Sequence, residues 1–165
     1  MIALAASVPF ASAQSDPEAA AYAHKLGSQA VWENAKAGKV QRLLVELNVG
    51  FLTTVIARER VAISDETDRR RSAASGSKES IDAIDADAKV RDEAAVAKLK
   101  KQLRAVKDAA FPDGQLAGAR VVYDFSVLPI VLVEVPGLEA LMAILSVPTV
   151  RLVNIDGVVK PAAAN

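Results

Sequence analysis

The chain has 165 residues, of which 52% are hydrophobic and 4% aromatic, and it has no cysteine. That excludes a disordered polar chain, a disulfide framework, thiolate metal sites and a cysteine nucleophile. Lys plus Arg and Asp plus Glu are equal at 20 each, so the basic surplus that drives binding to nucleic acid or to an anionic membrane is missing. The length fits one domain with attachments, and the core must be built mainly from Ala, Val, Leu and Ile.

The apolar run Ile2 to Phe10, followed by Ala11-Ser12-Ala13, has the pattern of an export signal over residues 1–13, cleaved before Gln14. No Lys or Arg precedes the run, so the signal lacks its basic start, as it would if the frame began too late. The expected product is an exported, periplasmic or secreted protein, with no membrane attachment after cleavage.

Residues 14–38 read as a helical segment. Asp16-Pro17-Glu18 offers an N-cap, a Pro at N1 and an acid in the first turn. A break is expected near Gly27, with Ser28 capping a second piece that carries Val31, Trp32 and Ala35 and ends at Gly38. Leu43, Val45, Leu47 and Val49 then alternate with polar residues, which predicts a first strand with Leu44 out of pattern. Over 58–88 the periodicity fails. The acids around Asp65 and the run Arg69-Arg70-Arg71 predict a solvated polar loop, with the Arg run either balanced by those acids, open to proteolysis or offered as a basic contact.

Val96, Leu99, Leu103, Val106 and Ala110 recur every three or four residues, the stripe of an amphipathic helix, stopped by Phe111-Pro112-Asp113-Gly114. Val121, Tyr123 and Phe125 predict one face of a second strand, with Arg120, Val122 and Asp124 on the other. The third strand, Ile130 to Val135, should return antiparallel after a tight connection. Leu138, Leu141, Met142 and Leu145 mark another helix, and Val150 to Ile155 a last strand whose two faces are ambiguous. Strand, helix, strand, strand, helix, strand is the order of an α+β, ferredoxin-like split βαβ fold. It predicts a four-stranded antiparallel sheet over 39–157 with two helices on one face.

The other face of such a sheet should be polar. Leu44, Val122, Ile130 and Leu132 make it partly apolar, a candidate docking surface. Trp32 on the preceding helix can either cover that face or fill the core. Chemistry-bearing patterns are missing. His24 stands alone, no nucleophile triad or glycine-rich phosphate loop occurs, and Asp82, Asp85 and Asp87 lack the spacing of a calcium loop. The expectation is a non-enzymatic protein without a cofactor or metal.

Three stretches carry a family resemblance. Trp32 to Leu47, Tyr123 to Val135 and Val150 to Pro161 resemble, in order and spacing, the propeptides of subtilisin-type proteases and the related stand-alone inhibitors. The likeness runs from about Trp32 to the C-terminus, interrupted by 58–89, and its motifs are mostly hydrophobic. It implies a domain that binds and inhibits a subtilisin-type serine protease and assists its folding. It implies a sheet face docked on two surface helices of the protease, and the tail 158–165 laid in the substrate groove. Pro161, Ala162, Ala163, Ala164 and Asn165 would then fill the groove like a product, and Asp156 would cap a protease helix. The family often has an acidic pair where this chain has Ile155-Asp156, and the protease's own catalytic motifs are absent. A stand-alone inhibitor and a remnant of a protease precursor both fit. A different class also fits the strand order, an ACT-like ligand-binding or dimerisation module. An RNA-binding version is disfavoured by the neutral charge and by central strands expected to expose no aromatics.

Overall fold

The computed structural model describes residues 16–74 and 77–157. The elements are α1 (Pro17–Tyr22), a 3-10 turn (Ala23–Lys25), α2 (Gln29–Lys36), β1 (Gln41–Leu47), α3 (Gly50–Ala73) and α4 (Lys78–Ala110). A 3-10 turn (Pro112–Gly114), β2 (Gln115–Leu116), β3 (Ala119–Asp124), β4 (Ile130–Val135), α5 (Leu138–Ser146) and β5 (Val150–Ile155) follow. The fold is α+β, and its antiparallel sheet has the order β2-β3-β4-β1-β5.

The sheet has five strands where four were expected. The extra one, β2, pairs Gln115 with Arg120 and Leu116 with Ala119. Ala117 and Gly118 turn between them at φ 47° and 83°, the left-handed pair that a two-residue hairpin loop requires. Two residues are too few to show a period, so this strand left no signal in the sequence.

One face of the sheet is the core. Leu43, Val45 and Leu47 of β1, Val131, Val133 and Val135 of β4, and Val150 and Val153 of β5 are buried together. Against them pack Ala140, Leu141, Ile144 and Leu145 of α5 and Leu103, Ala110 and Phe111 from the end of α4. A third helix joins this layer. Val31, Trp32 and Ala35 of α2 are buried in the same cluster, and the Gln41 side chain donates to the Val31 carbonyl at 2.9 Å. The N-terminal segment is therefore part of the domain rather than an appendage before it. Trp32 is 0% exposed and fills the core, so of its two expected positions the sheet's other face is not the one it takes.

The local signals at this end act as expected. Asp16 accepts from the Glu18 N–H at 3.1 Å, Ser28 from the Ala30 N–H at 3.1 Å, and Gly38 closes α2 at φ +66°. Between α1 and α2 the chain runs along β5, where Leu26 bridges Val153 in parallel and the Gly27 N–H donates to the Val153 carbonyl at 2.9 Å. A side chain at Gly27 would collide with the Asn154 amide, so the missing Cβ is what permits this approach.

The polar loop expected over 58–88 is instead two long helices. At 1.5 Å per residue, α3 spans about 36 Å and α4 about 50 Å. They form an antiparallel hairpin whose seam holds Ile56, Ile63 and Thr67 of α3 and Ile84 and Ala95 of α4. The stripe from Val96 to Ala110 continues backwards through Ala88 and Ile84 to Ile81. Ion pairs close the flanks: Arg60–Asp92 at 2.5 Å, Arg70–Asp87 at 2.5 Å, Arg71–Asp85 at 2.8 Å and Lys98–Glu59 at 3.2 Å. A two-helix seam needs few apolar residues, and the charges that looked like loop chemistry pair across it. Among the described residues no helix is long and apolar enough to cross a membrane.

Candidate functional site

The face of the sheet opposite the helices carries the residues singled out in the sequence, and strand register orders them into three rows. The first row crosses β3, β4 and β1 through Arg120, Glu134 and Arg42, which are successive partners. The Asp156 N–H donates to the Arg42 carbonyl at 2.9 Å. This carries the ladder one residue past β5 and sets Asp156 beside Arg42. The second row is Tyr123, Leu132, Leu44 and Asn154, and the third is Ile130, Glu46 and Leu152. Two ion pairs lie on the face, Arg120–Glu134 at 3.1 Å and Arg151–Glu46 at 2.7 Å. Arg42 and Asp156 have no ion-pair partner among the described residues.

Leu44, Ile130, Leu132 and Asp156 are half-buried, and Val122 is 41% exposed. All five expected docking-face residues therefore lie on or beside one surface, and no described helix packs over it. Pro161, Ala162, Ala163, Ala164 and Asn165 lie outside the described residues, as does the expected signal over 1–13.

Sequence reasoning missed Tyr123. Simple alternation put it on the same face as Val121, but the register slips between Val121 and Tyr123. This β-bulge turns Tyr123 and Phe125 to the open face and Asp124 to the core side. Tyr123 is 57% exposed, and its ring meets Phe125 edge-on with centroids 4.8 Å apart. The aromatics stand on β3 and just past its end, while the central strands β4 and β1 carry none, as expected. A second bulge, between Glu46 and Leu47, leaves Arg151 unpaired on β5. It explains why Val150 and Val153 share the core face although they lie three positions apart.

Beneath the first bulge sits Lys107, 4% exposed, whose ammonium pairs with Asp124 and donates to the Phe125 carbonyl at 2.7 Å. A buried ammonium must be paired to be tolerated. Here the pairing fixes the backbone that presents Tyr123 and Phe125. The only clue in the sequence is a lysine within the α4 stripe, flanked by Val106 and Ala110.

At the other end of the molecule Asp16 receives the Lys36 ammonium at 2.8 Å and the Trp32 indole N–H at 3.4 Å. The Lys36 hydrogen bond holds the Asp16 carboxyl below its ordinary range against a smaller opposing effect of desolvation. The same bond raises Lys36.

Among the described residues no group of three His, Cys, Asp or Glu side chains gathers into a metal site. His24 is exposed on the first 3-10 turn. Asp85 and Asp87 pair with Arg71 and Arg70 on the hairpin. A surface depression of about 600 Å³ is bordered by α3 residues alone, from Thr53 to Asp65, and a single wall does not enclose a ligand. Comparison with protein-family models, with curated proteins and with solved structures found no match.

Proposed function

We propose that this chain is a non-catalytic, propeptide-like domain that docks the open face of its sheet on a subtilisin-type serine protease and inhibits it. The observation that carries the reading is the open face itself. An apolar row through Tyr123, Leu132 and Leu44 crosses the sheet where solvent-facing polar residues are expected, and no described element covers it.

Strand order supports the finer fold. Without β2, the sheet runs β3-β4-β1-β5, with the α3–α4 connection after β1 and α5 before β5. That order is in keeping with a ferredoxin-like split βαβ domain, the fold that the propeptide resemblance implies. The hairpin is then an elaboration of the first crossover, and α2 an addition to the helix layer. Asp156, at the corner of the face and without an ion-pair partner among the described residues, suits the capping of a helix N-terminus on the protease. The tail from Pro161 to Asn165, joined just beyond that corner, would lie in the substrate groove as an added strand. Such a protein works outside the cytoplasm, in keeping with the signal expected over 1–13.

Mixing the protein with a subtilisin-type protease tests the reading. A stable complex on a sizing column and loss of peptide hydrolysis are expected. Hydrolysis undiminished at large molar excess, with no complex, would refute it. Deleting Ala162 to Asn165 is expected to weaken inhibition while leaving the thermal transition in place. Equal inhibition by the shortened chain would remove the tail from the mechanism.

A further inference from the structure

The charges along the first row of the open face have a symmetry that docking on a foreign protein does not need. From β3 to β5 they run Arg120, Glu134, Arg42, Asp156, alternating plus and minus. Reversed end to end, the row presents minus wherever it had plus. A two-fold axis parallel to the strands, passing between β4 and β1, performs that reversal. It lays Arg42 over Glu134 of a second copy and Arg120 over Asp156 of the second copy. The same axis lays Leu132 over Leu44 of the second copy in the next row, apolar on apolar. Two of the three rows are thus complementary to themselves about a two-fold, as an isologous dimer requires, while in the third row the same axis lays Ile130 over Glu46 of the second copy.

We propose that, without a protease, two copies of this chain close their open faces on each other about this axis. Both free charges gain a partner: Arg42 reaches a carboxylate and Asp156 a guanidinium, which no described residue of their own chain supplies. Area sets the strength. Four strands about 4.8 Å apart and about 20 Å long offer roughly 400 Å² of flat face per copy. The pair buries about 800 Å², below the roughly 1,000–1,200 Å² at which stable specific interfaces begin, so the dimer is a weak one. It should be reversible, with a dissociation constant on the order of 100 µM. It occupies the surface assigned to the protease, so one partner excludes the other.

Sedimentation of the full chain alone, from about 1 µM to 1 mM, tests this without reference to any protease. The mass is expected to rise from one chain towards two across that range. Arg42→Glu sets a new carboxylate against Glu134 of the second copy, twice per dimer, and is expected to weaken association at least tenfold. Adding Glu134→Arg restores the cross-copy pairs while placing like charges side by side within each chain. The double variant should therefore dimerise within about threefold of the wild type while melting at a lower temperature as a monomer. A row that acted only inside the chain would give no rescue. Leu132→Glu provides a second variant and should abolish the dimer with the Trp32 emission of the folded core retained. A wild-type chain that stays monomeric throughout, an oligomer larger than two, or a dimer indifferent to both Arg42→Glu and Leu132→Glu overturns the proposal.

Discussion

Lys107 decides which way a strand faces. Its ammonium holds Asp124 and the Phe125 carbonyl beneath the β3 bulge, and without it Asp124 would face the core side with no counter-charge. Asp124 keeps some contact with water, so the loss is smaller than for a fully buried pair. Lys107→Met is expected to lower stability by about 2–3 kcal/mol. It should also change apolar-dye binding to the open face, because Tyr123 and Phe125 lose their fixed position. A denaturant midpoint unchanged from wild type would show that the pairing contributes nothing. Trp32 makes a second test at this scale. Fully buried in the core cluster, it should cost about 3–5 kcal/mol when cut to Ala, a large part of the stability of a domain this size. A cost below about 1 kcal/mol would return α2 to the status of an appendage.

Asp16 gives the molecule a pH-dependent joint. Its folded carboxyl titrates below the unfolded value because Lys36 hydrogen-bonds it. The stabilisation is thus fully present above about pH 4 and is lost as the pH falls through the depressed folded value. Trp32 donates to the same carboxylate. Its emission should shift on acidification below that point, before the sheet unfolds. Asp16→Asn should remove the shift, and an identical acid titration in both proteins would contradict the joint.

Among the elements, the α3–α4 hairpin and the sheet should differ most in stability. The distal hairpin is held by Ile63, Thr67 and Ile84 and by ion pairs across solvent-facing flanks, and exposed pairs contribute little. Amide exchange is therefore expected to be faster over 67–74 and 77–85 than in β1 and β4, with opening of the hairpin separable from global unfolding. Uniform protection across both would contradict this. Joining Arg60 to Asp92, which face each other, through a short turn should remove helical signal and leave the Trp32 transition intact.

Legibility in the sequence followed the length and regularity of each element. β4 and β5 were readable to their last residues because Pro129, Pro136, Pro148 and Gly157 bound them, although the faces of β5 were not. The caps Asp16, Ser28 and Gly38 were readable because they act within a few residues of themselves. What failed was non-local. The two bulges shift register by one residue, and alternation then assigns Tyr123 and Asp124 to the wrong faces. The hairpin looked like a loop because its seam residues need only each other. Lys107 could not be recognised as buried until Asp124, seventeen residues away, was turned towards it. Of the open face, Leu44, Ile130 and Leu132 were legible from their excess of apolar character, whereas its aromatic pair was not.

At the scale of the whole molecule, one layer of helices covers one face of the sheet and no described helix covers the other. The helix layer holds α2, α5 and the end of α4, so the N-terminal segment strengthens the core without closing the open face. The hairpin projects from the first crossover and leaves that face clear. Both a protease and a second copy could use it, and the two uses separate experimentally, since one needs the protease and the other is read in its absence.

The measurement that tests the central claim most directly is a titration of a subtilisin-type protease with the wild-type chain and with Leu132→Glu, read by hydrolysis of a small peptide substrate. The open-face account expects the wild type to suppress hydrolysis and the variant, folded by its Trp32 emission, to require at least tenfold more protein for the same effect. Two coincident inhibition curves, or no inhibition by either protein, would contradict it.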